Sequence, residues 1–166
     1  MLTFTEDDPV ISSALPVSDS DQNDVHTFSN LQFAGGAAGA AGVTVDLANG
    51  TFTIDPNAYN SLAVNETDVV MFSYTATDSM GQSAENTVEI LITGVNDAPV
   101  PVSQIVSRSI SDPVFSNTYA FSDPDLSDTV SVTDATIVSG NGAGVTLNAN
   151  GYTVDPAAYG LSLIHI

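Results

Sequence analysis

Apolar and polar residues alternate with a period of two along much of the chain, and helical periodicity is weak throughout. From Val69 to Asp78, Val70, Phe72, Tyr74 and Ala76 fall on one face, and Met71, Ser73, Thr75 and Thr77 on the other. From Glu85 to Thr93, Val88, Ile90 and Ile92 alternate with Thr87, Glu89 and Leu91. Asp78-Ser79-Met80-Gly81 reads as the turn joining these two strands into a hairpin. Stretches from Val43 to Leu47 and from Thr51 to Ile54 flank Ala48-Asn49-Gly50, a second hairpin signal. Val130 and Val132 open what read as corresponding strands further along. The glycine- and alanine-rich run 34–42 reads as a flexible loop. The pattern predicts an all-β chain whose units each hold six or seven short antiparallel strands in a sandwich.

The pattern occurs twice. Asp8-Pro9-Val10 matches Asp112-Pro113-Val114, and Ser18-Asp19-Ser20-Asp21 matches Ser122-Asp123-Pro124-Asp125, both at an offset of 104. Gly42-Val43-Thr44-Val45 matches Gly144-Val145-Thr146-Leu147 at 102, and Thr53-Ile54-Asp55-Pro56 matches Thr153-Val154-Asp155-Pro156 at 100. The offset shrinks only across Gly/Ala/Asn-rich stretches, where loops absorb deletions. A period of about one hundred residues is the size of a β-sandwich domain. The expected organisation is repeat one over residues 1–95, lacking its first strand, and repeat two over 96–160, cut short at its C-terminal end. The tail 161–166 breaks the pattern and reads as non-native. Two incomplete copies imply an array that extends further.

Charge changes the picture. Twenty Asp and Glu residues stand against one basic residue, Arg108, giving a formal net charge of −19. No Lys/Arg stripe exists to neutralise phosphates, which argues against a nucleic-acid partner and an anionic membrane surface. No apolar run reaches the length of a membrane span, so direct insertion is not expected. Uncompensated carboxylates repel one another and destabilise the compact state. A divalent cation would supply the missing positive charge; salty surroundings that screen the acids would serve too. With no cysteine in the chain, disulfides and thiolate metal sites are excluded. A protein outside the cell then needs another staple, and bound metal is the obvious one.

The acids are arranged for hard-cation chemistry. Calcium takes six to eight oxygen ligands, several of them carboxylates. In an extended loop, Asp19-x-Asp21 and Asp123-x-Asp125 direct both carboxylates to one side, because side chains alternate. Two such groups about 4 Å apart repel by roughly 4 kcal/mol at an effective dielectric of about 20, and an ion between them turns that cost into attraction. Asn96 and Asp97 bring further oxygens to the junction Thr93-Gly94-Val95-Asn96-Asp97-Ala98-Pro99-Val100, where Pro99 stiffens the chain.

Phe72-x-Tyr74-x-Ala76-x-Asp78-x-x-Gly81, followed by Val88-x-Ile90-x-Ile92 and that junction, resembles the cadherin-like repeats of large bacterial adhesins. The VCBS-type repeat of secreted RTX-like proteins is the best match, over nearly all of residues 8–160. The resemblance implies tandem Ig/cadherin-like antiparallel β-sandwiches and calcium between successive repeats. It implies that Asn96 and Asp97 take the linker role, that Asp123 and Asp125 close the site, and that Glu66 or Asp68 reaches the same ion. Asp78 would pair with Asp19 and Asp21 at the other end of repeat one. The cadherin linker reads Asp-x-Asn-Asp-Asn; Gly94 and Ala98 replace its first Asp and last Asn, so fewer ions or weaker binding is expected.

Asp and Asn at loop tips also cap turns, and that reading suits Asp55-Pro56 and Asp155-Pro156, while Asp24 and Asp128 fit either. His26 and His165 read as incidental, Tyr59 and Tyr159 as core or corner aromatics. A carboxylate pair repeated in every copy of a module argues against a glycosidase, and no Ser-His-Asp set or phosphate-binding glycine loop is present, so no enzyme is expected. The expected function is a calcium-stiffened spacer of a bacterial cell-surface adhesin, outside the cell, with neighbouring repeats as partners and host or bacterial surface ligands further along the array. The competing readings are a glycan-binding or self-associating sandwich, and an accessory module of a large secreted hydrolase.

Overall fold

The longest alternating stretches become the longest strands. The computed structural model describes residues 1–21, 24–34 and 41–160; Gln22, Asn23, most of the glycine-rich run and the 161–166 tail lie outside the described residues. The chain divides into two compact units, Met1–Asp97 with Pro124–Ser127, and Ala98–Asp123 with Asp128–Ile166.

The first unit holds β1 (Leu2–Thr5), β2 (Ile11–Ala14), β3 (Thr27–Ala34), β4 (Val43–Asp46), β5 (Thr51–Ile54), β6 (Thr67–Thr77) and β7 (Ser83–Thr93). They form a four-stranded sheet in the order β1-β7-β6-β3 and a three-stranded sheet in the order β2-β5-β4. The predicted hairpins are both present, as β6–β7 and β4–β5. The strands were expected to be antiparallel throughout; β1 instead runs parallel to β7, pairing Leu2 with Ile90 and Thr5 with Thr93. Parallel neighbours need a long crossover, and here almost the whole unit lies between them.

The inward set is the one the alternation marks. Val70, Phe72 and Tyr74 of β6 and Ile90 and Ile92 of β7 are fully buried, and they meet Phe52 and Ile54 of β5. Burying each such side chain contributes about 1.5–3 kcal/mol. The Phe52 and Phe72 rings meet edge-on at 5.7 Å. Tyr74 satisfies its hydroxyl by donating to the Pro16 carbonyl, and Tyr59, also buried, donates to that of Ala41.

The second unit holds β8 (Val100–Pro101), β9 (Phe115–Thr118), β10 (Phe121–Ser122), β11 (Val145–Asn148) and β12 (Gly151–Val154). β9, β12 and β11 form one antiparallel sheet, and β8 pairs with β10. Val130 and Val132, expected to open strands, lie in irregular backbone. The reason is a missing partner. Their counterpart in the first unit is β3, which hydrogen-bonds to β6, and no strand equivalent to β6 occurs among the described residues of the second unit. No helix among the described residues is long and apolar enough to cross a membrane.

Candidate metal centre

Three carboxylates converge within the first unit. Glu6, Asp97 and Asp125 each present an oxygen within 4.8 Å of the others. Two oxygens on one calcium ion, each about 2.4 Å from it, lie at most about 5 Å apart, so the spacing suits a shared ion. Glu6 sits just after β1, where the chain leaves the sheet and its N–H donates to the Thr93 carbonyl at 3.2 Å. Asp97 follows β7, and Asp125 lies in the Pro124–Ser127 segment that packs with this unit. Neighbouring N–H groups fix one oxygen of each of two acids. Val95 donates to Glu6 Oε1 at 2.7 Å, and Asp97 donates to Asp125 Oδ2 at 2.9 Å.

The other oxygens decide the chemistry. Glu6 and Asp125 are each only 1% exposed, and Glu6 Oε2 and Asp97 Oδ2 are buried without a hydrogen-bond donor. Burial pushes the Glu6 carboxyl above its ordinary range; the Val95 N–H acts in the opposite sense, and the charges of Asp125 and Asp97 raise it further. A buried polar atom without a partner costs about 1–3 kcal/mol. A divalent cation would satisfy both orphaned oxygens at once, so the donor set fits a hard, oxygen-preferring metal.

Asp19, Asp24 and Asp78 form a second cluster, each with an oxygen within 4.8 Å of the others. It lies near the far end of β6, which ends at Thr77, whereas Glu66 precedes its start at Thr67. Its carboxylates are already served. Asp19 accepts from the Asp21 N–H at 2.9 Å and contacts His26 Nε2 at 3.0 Å, and the Asp21 contact is the main reason its pKa is lowered. Asp78 accepts from Met80 and Gln82. The Ser79 hydroxyl is the main cause that lowers the Asp24 pKa. This cluster is open and polar, and no orphaned buried oxygen marks it.

The nine residues singled out in the sequence thus divide. Asp97 and Asp125 meet in one cluster, Asp19 and Asp78 in the other, and Asp21, Glu66, Asp68 and Asp123 fall outside both. Asn96 turns its amide to the Asp97 carbonyl at 2.7 Å. The Asp21 N–H donates to Asp19 Oδ1 at 2.9 Å and the backbone bends at Ser20 and Asp21, so this segment is not the extended loop in which alternation would set both carboxylates on one side. At Gly94 a side chain has no room: a Cβ there would stand 2.2 Å from the Ala63 carbonyl oxygen. Glu6 was missed, because in Thr5-Glu6-Asp7-Asp8 it reads as one more solvated acid. The repeat held a signal, since the offset of 104 pairs Glu6 with Ile110, an acid against an apolar residue.

Two sheets packed face to face, with β1 joining β7 in one and β2, β5 and β4 forming the other, define an immunoglobulin-like sandwich. The chain matches the Bacterial Ig domain family over residues 1–91 and belongs to it. No curated protein matches the chain. Among solved structures it is similar to Drosophila N-cadherin EC1-4, at 19% identity and a TM-score of 0.44, covering 92% of this chain and 38% of that one. It is also similar to the protocadherin GammaB4 extracellular domain, at 11% identity and a TM-score of 0.38, covering 92% of this chain and 27% of that one. The chain spans well under half the length of either structure.

Proposed function

We propose that this chain is a calcium-binding, non-catalytic structural repeat of a bacterial cell-surface adhesin, of the VCBS-like kind its sequence resembles. Glu6, Asp97 and Asp125 hold the ion. The observation that carries the reading is the pair of buried oxygens, Glu6 Oε2 and Asp97 Oδ2, left without donors in a chain of net charge −19. The ion supplies positive charge where three carboxylates meet. Glu6 anchors the site to the end of β1, Asp97 to the segment after β7, and Asp125 to the 124–127 segment. The chain thereby gains a fastening at the point where it leaves the first unit, and in a tandem array such fastenings stiffen each junction. A family of bacterial Ig domains suits a module that works outside the cell.

Calcium titration by calorimetry, with thermal unfolding in chelator and in excess calcium, tests this. At a free concentration one hundred times the dissociation constant, calcium stabilises the folded chain by about 2.7 kcal/mol. Asp97→Ala combined with Asp125→Ala abolishes both heat and stabilisation. A wild-type chain that neither binds calcium nor melts later in it ends the reading.

A further inference from the structure

Glu66 belongs to the site without belonging to its ligands. Its carboxylate is used twice: Oε2 accepts from the Ala63 N–H at 3.0 Å, and Oε1 accepts from the Ser127 hydroxyl at 2.9 Å. Its main chain is used twice as well, the N–H donating to Ala63 at 2.8 Å and the carbonyl accepting from Gly94 at 2.8 Å. One residue thus ties the loop before β6 to both segments that carry the buried acids. Gly94 lies three residues before Asp97, and Ser127 two residues after Asp125. A second tie runs alongside, from the Leu126 N–H to the Ser61 carbonyl at 3.3 Å. Glu66 itself is exposed and stands outside the cluster formed by Glu6, Asp97 and Asp125.

We infer that Glu66 is a positioning residue: its bond to Ser127 latches the 124–127 segment so that Asp125 is held beside Glu6 and Asp97 before an ion arrives. This rests on the calcium reading for its purpose, but the latch itself is visible without metal. A ligand that must be ordered at the moment of binding costs affinity, and a latch set in advance removes that cost.

Ser127→Ala tests it, because the change removes the latch and leaves the charge of Glu66 in place. In calcium-free protein, amide exchange quickens at Leu126 and Asp97, whose N–H groups hold the segment, while the unfolding midpoint in chelator stays at the wild-type value. Calcium binding weakens about three- to tenfold, within the range of one ordinary hydrogen bond, since both partners are exposed. Ser127→Thr, which keeps the hydroxyl, restores both. Glu66→Ala weakens binding further through its lost charge, and adding Ser127→Ala to it changes nothing more. If Glu66 were a ligand, Ser127→Ala would leave affinity and exchange untouched, and that result overturns the inference while the calcium site stands. If wild type binds no calcium yet Ser127→Ala still quickens exchange, the latch stands and the calcium reading falls. No binding and no change in exchange overturn both.

Discussion

The sheet of β2, β5 and β4 and the sheet of β9, β12 and β11 are built alike and end differently. Ile54 pairs with both Ile11 and Val43; Val154 pairs with both Phe115 and Val145. On each outer face a serine and a threonine hydroxyl meet at 2.9 Å, Ser12 with Thr53 and Ser116 with Thr153. In each, Asp55 or Asp155 donates its N–H to a glycine carbonyl, of Gly42 at 2.7 Å and of Gly144 at 2.8 Å. The inner faces differ. Phe52 and Ile54 are 2% and 0% exposed, whereas Tyr152 and Val154 are only half-buried. In the first unit the long strands β6 and β7 cover that face; no strand equivalent to them occurs among the described residues of the second. Turns and strand pairing are local and follow the repeat, but burial needs the opposing sheet.

The matched pair Phe52 and Tyr152 sharpens this most. Phe52→Ala removes a ring packed edge-on against Phe72 and is expected to cost about 3–5 kcal/mol. Tyr152→Ala removes a ring in contact with Phe115 and Tyr119 but open on one side, and less than about half that loss is expected. Denaturant unfolding, with amide exchange resolving the two units, measures both. Equal losses would mean that the inner face of the second unit is as well covered as that of the first.

The same contrast shows what was legible in the sequence. Alternation in 69–78 and 85–93 marked the buried faces of β6 and β7 residue by residue, because period two is a direct imprint of a half-buried strand. It misled at Val130 and Val132, where the local pattern is present and its pairing partner is not. The acids were harder to place. Spacing shows that Asp123 and Asp125 are near each other, but which one reaches Asp97 depends on the path of the 124–127 segment. Glu6 is brought to Asp97 by the parallel pairing of β1 with β7, whose partners lie 88 residues apart in the chain, a contact that no local signal carries.

Glu6 also sets the two units apart within an identical turn. Thr5 N–H reaches Asp8 Oδ2 at 2.8 Å, and Ser109 N–H reaches Asp112 Oδ2 at 2.9 Å. The residue after the turn's start is Glu6 in one, buried, and Ile110 in the other, 50% exposed. The native fold raises the Glu6 pKa above its ordinary value of 4.5, so folding favours the neutral acid. Its contribution to stability is complete below that value and is lost as pH rises through the raised one. In chelator, the wild-type melting temperature therefore falls relative to Glu6→Gln as pH rises through this window, and the two converge in acid. The divergence is on the order of 1–3 kcal/mol, the cost of a buried polar group without its partner. Calcium reverses the order of the two proteins at neutral pH. Parallel curves in chelator would show that the carboxylate is hydrated and that the two turns differ in name only.

The smallest expected effect separates the two Asp-Pro turns. Each opens a short 3₁₀ helix, Pro56–Tyr59 or Pro156–Tyr159, and the sequence reads both aspartates as caps. Only one behaves so. Asp155 Oδ1 accepts from the Ala157 N–H at 3.1 Å, while the Asp55 side chain makes no capping bond. In the first unit the turn is held instead by its surroundings, since Tyr59 is buried and bonded to Ala41; its counterpart Tyr159 is only half-buried. Asp155→Ala is expected to cost about 0.5–1 kcal/mol, the lower part of the range for a lost cap, and Asp55→Ala nearly nothing. Amide exchange at Ala157 and at Asn57 reads the two turns separately. A turn that loses its core support leans on its cap, so a larger loss at Asp55 than at Asp155 would reverse the relation between packing and local bonding that distinguishes the two units.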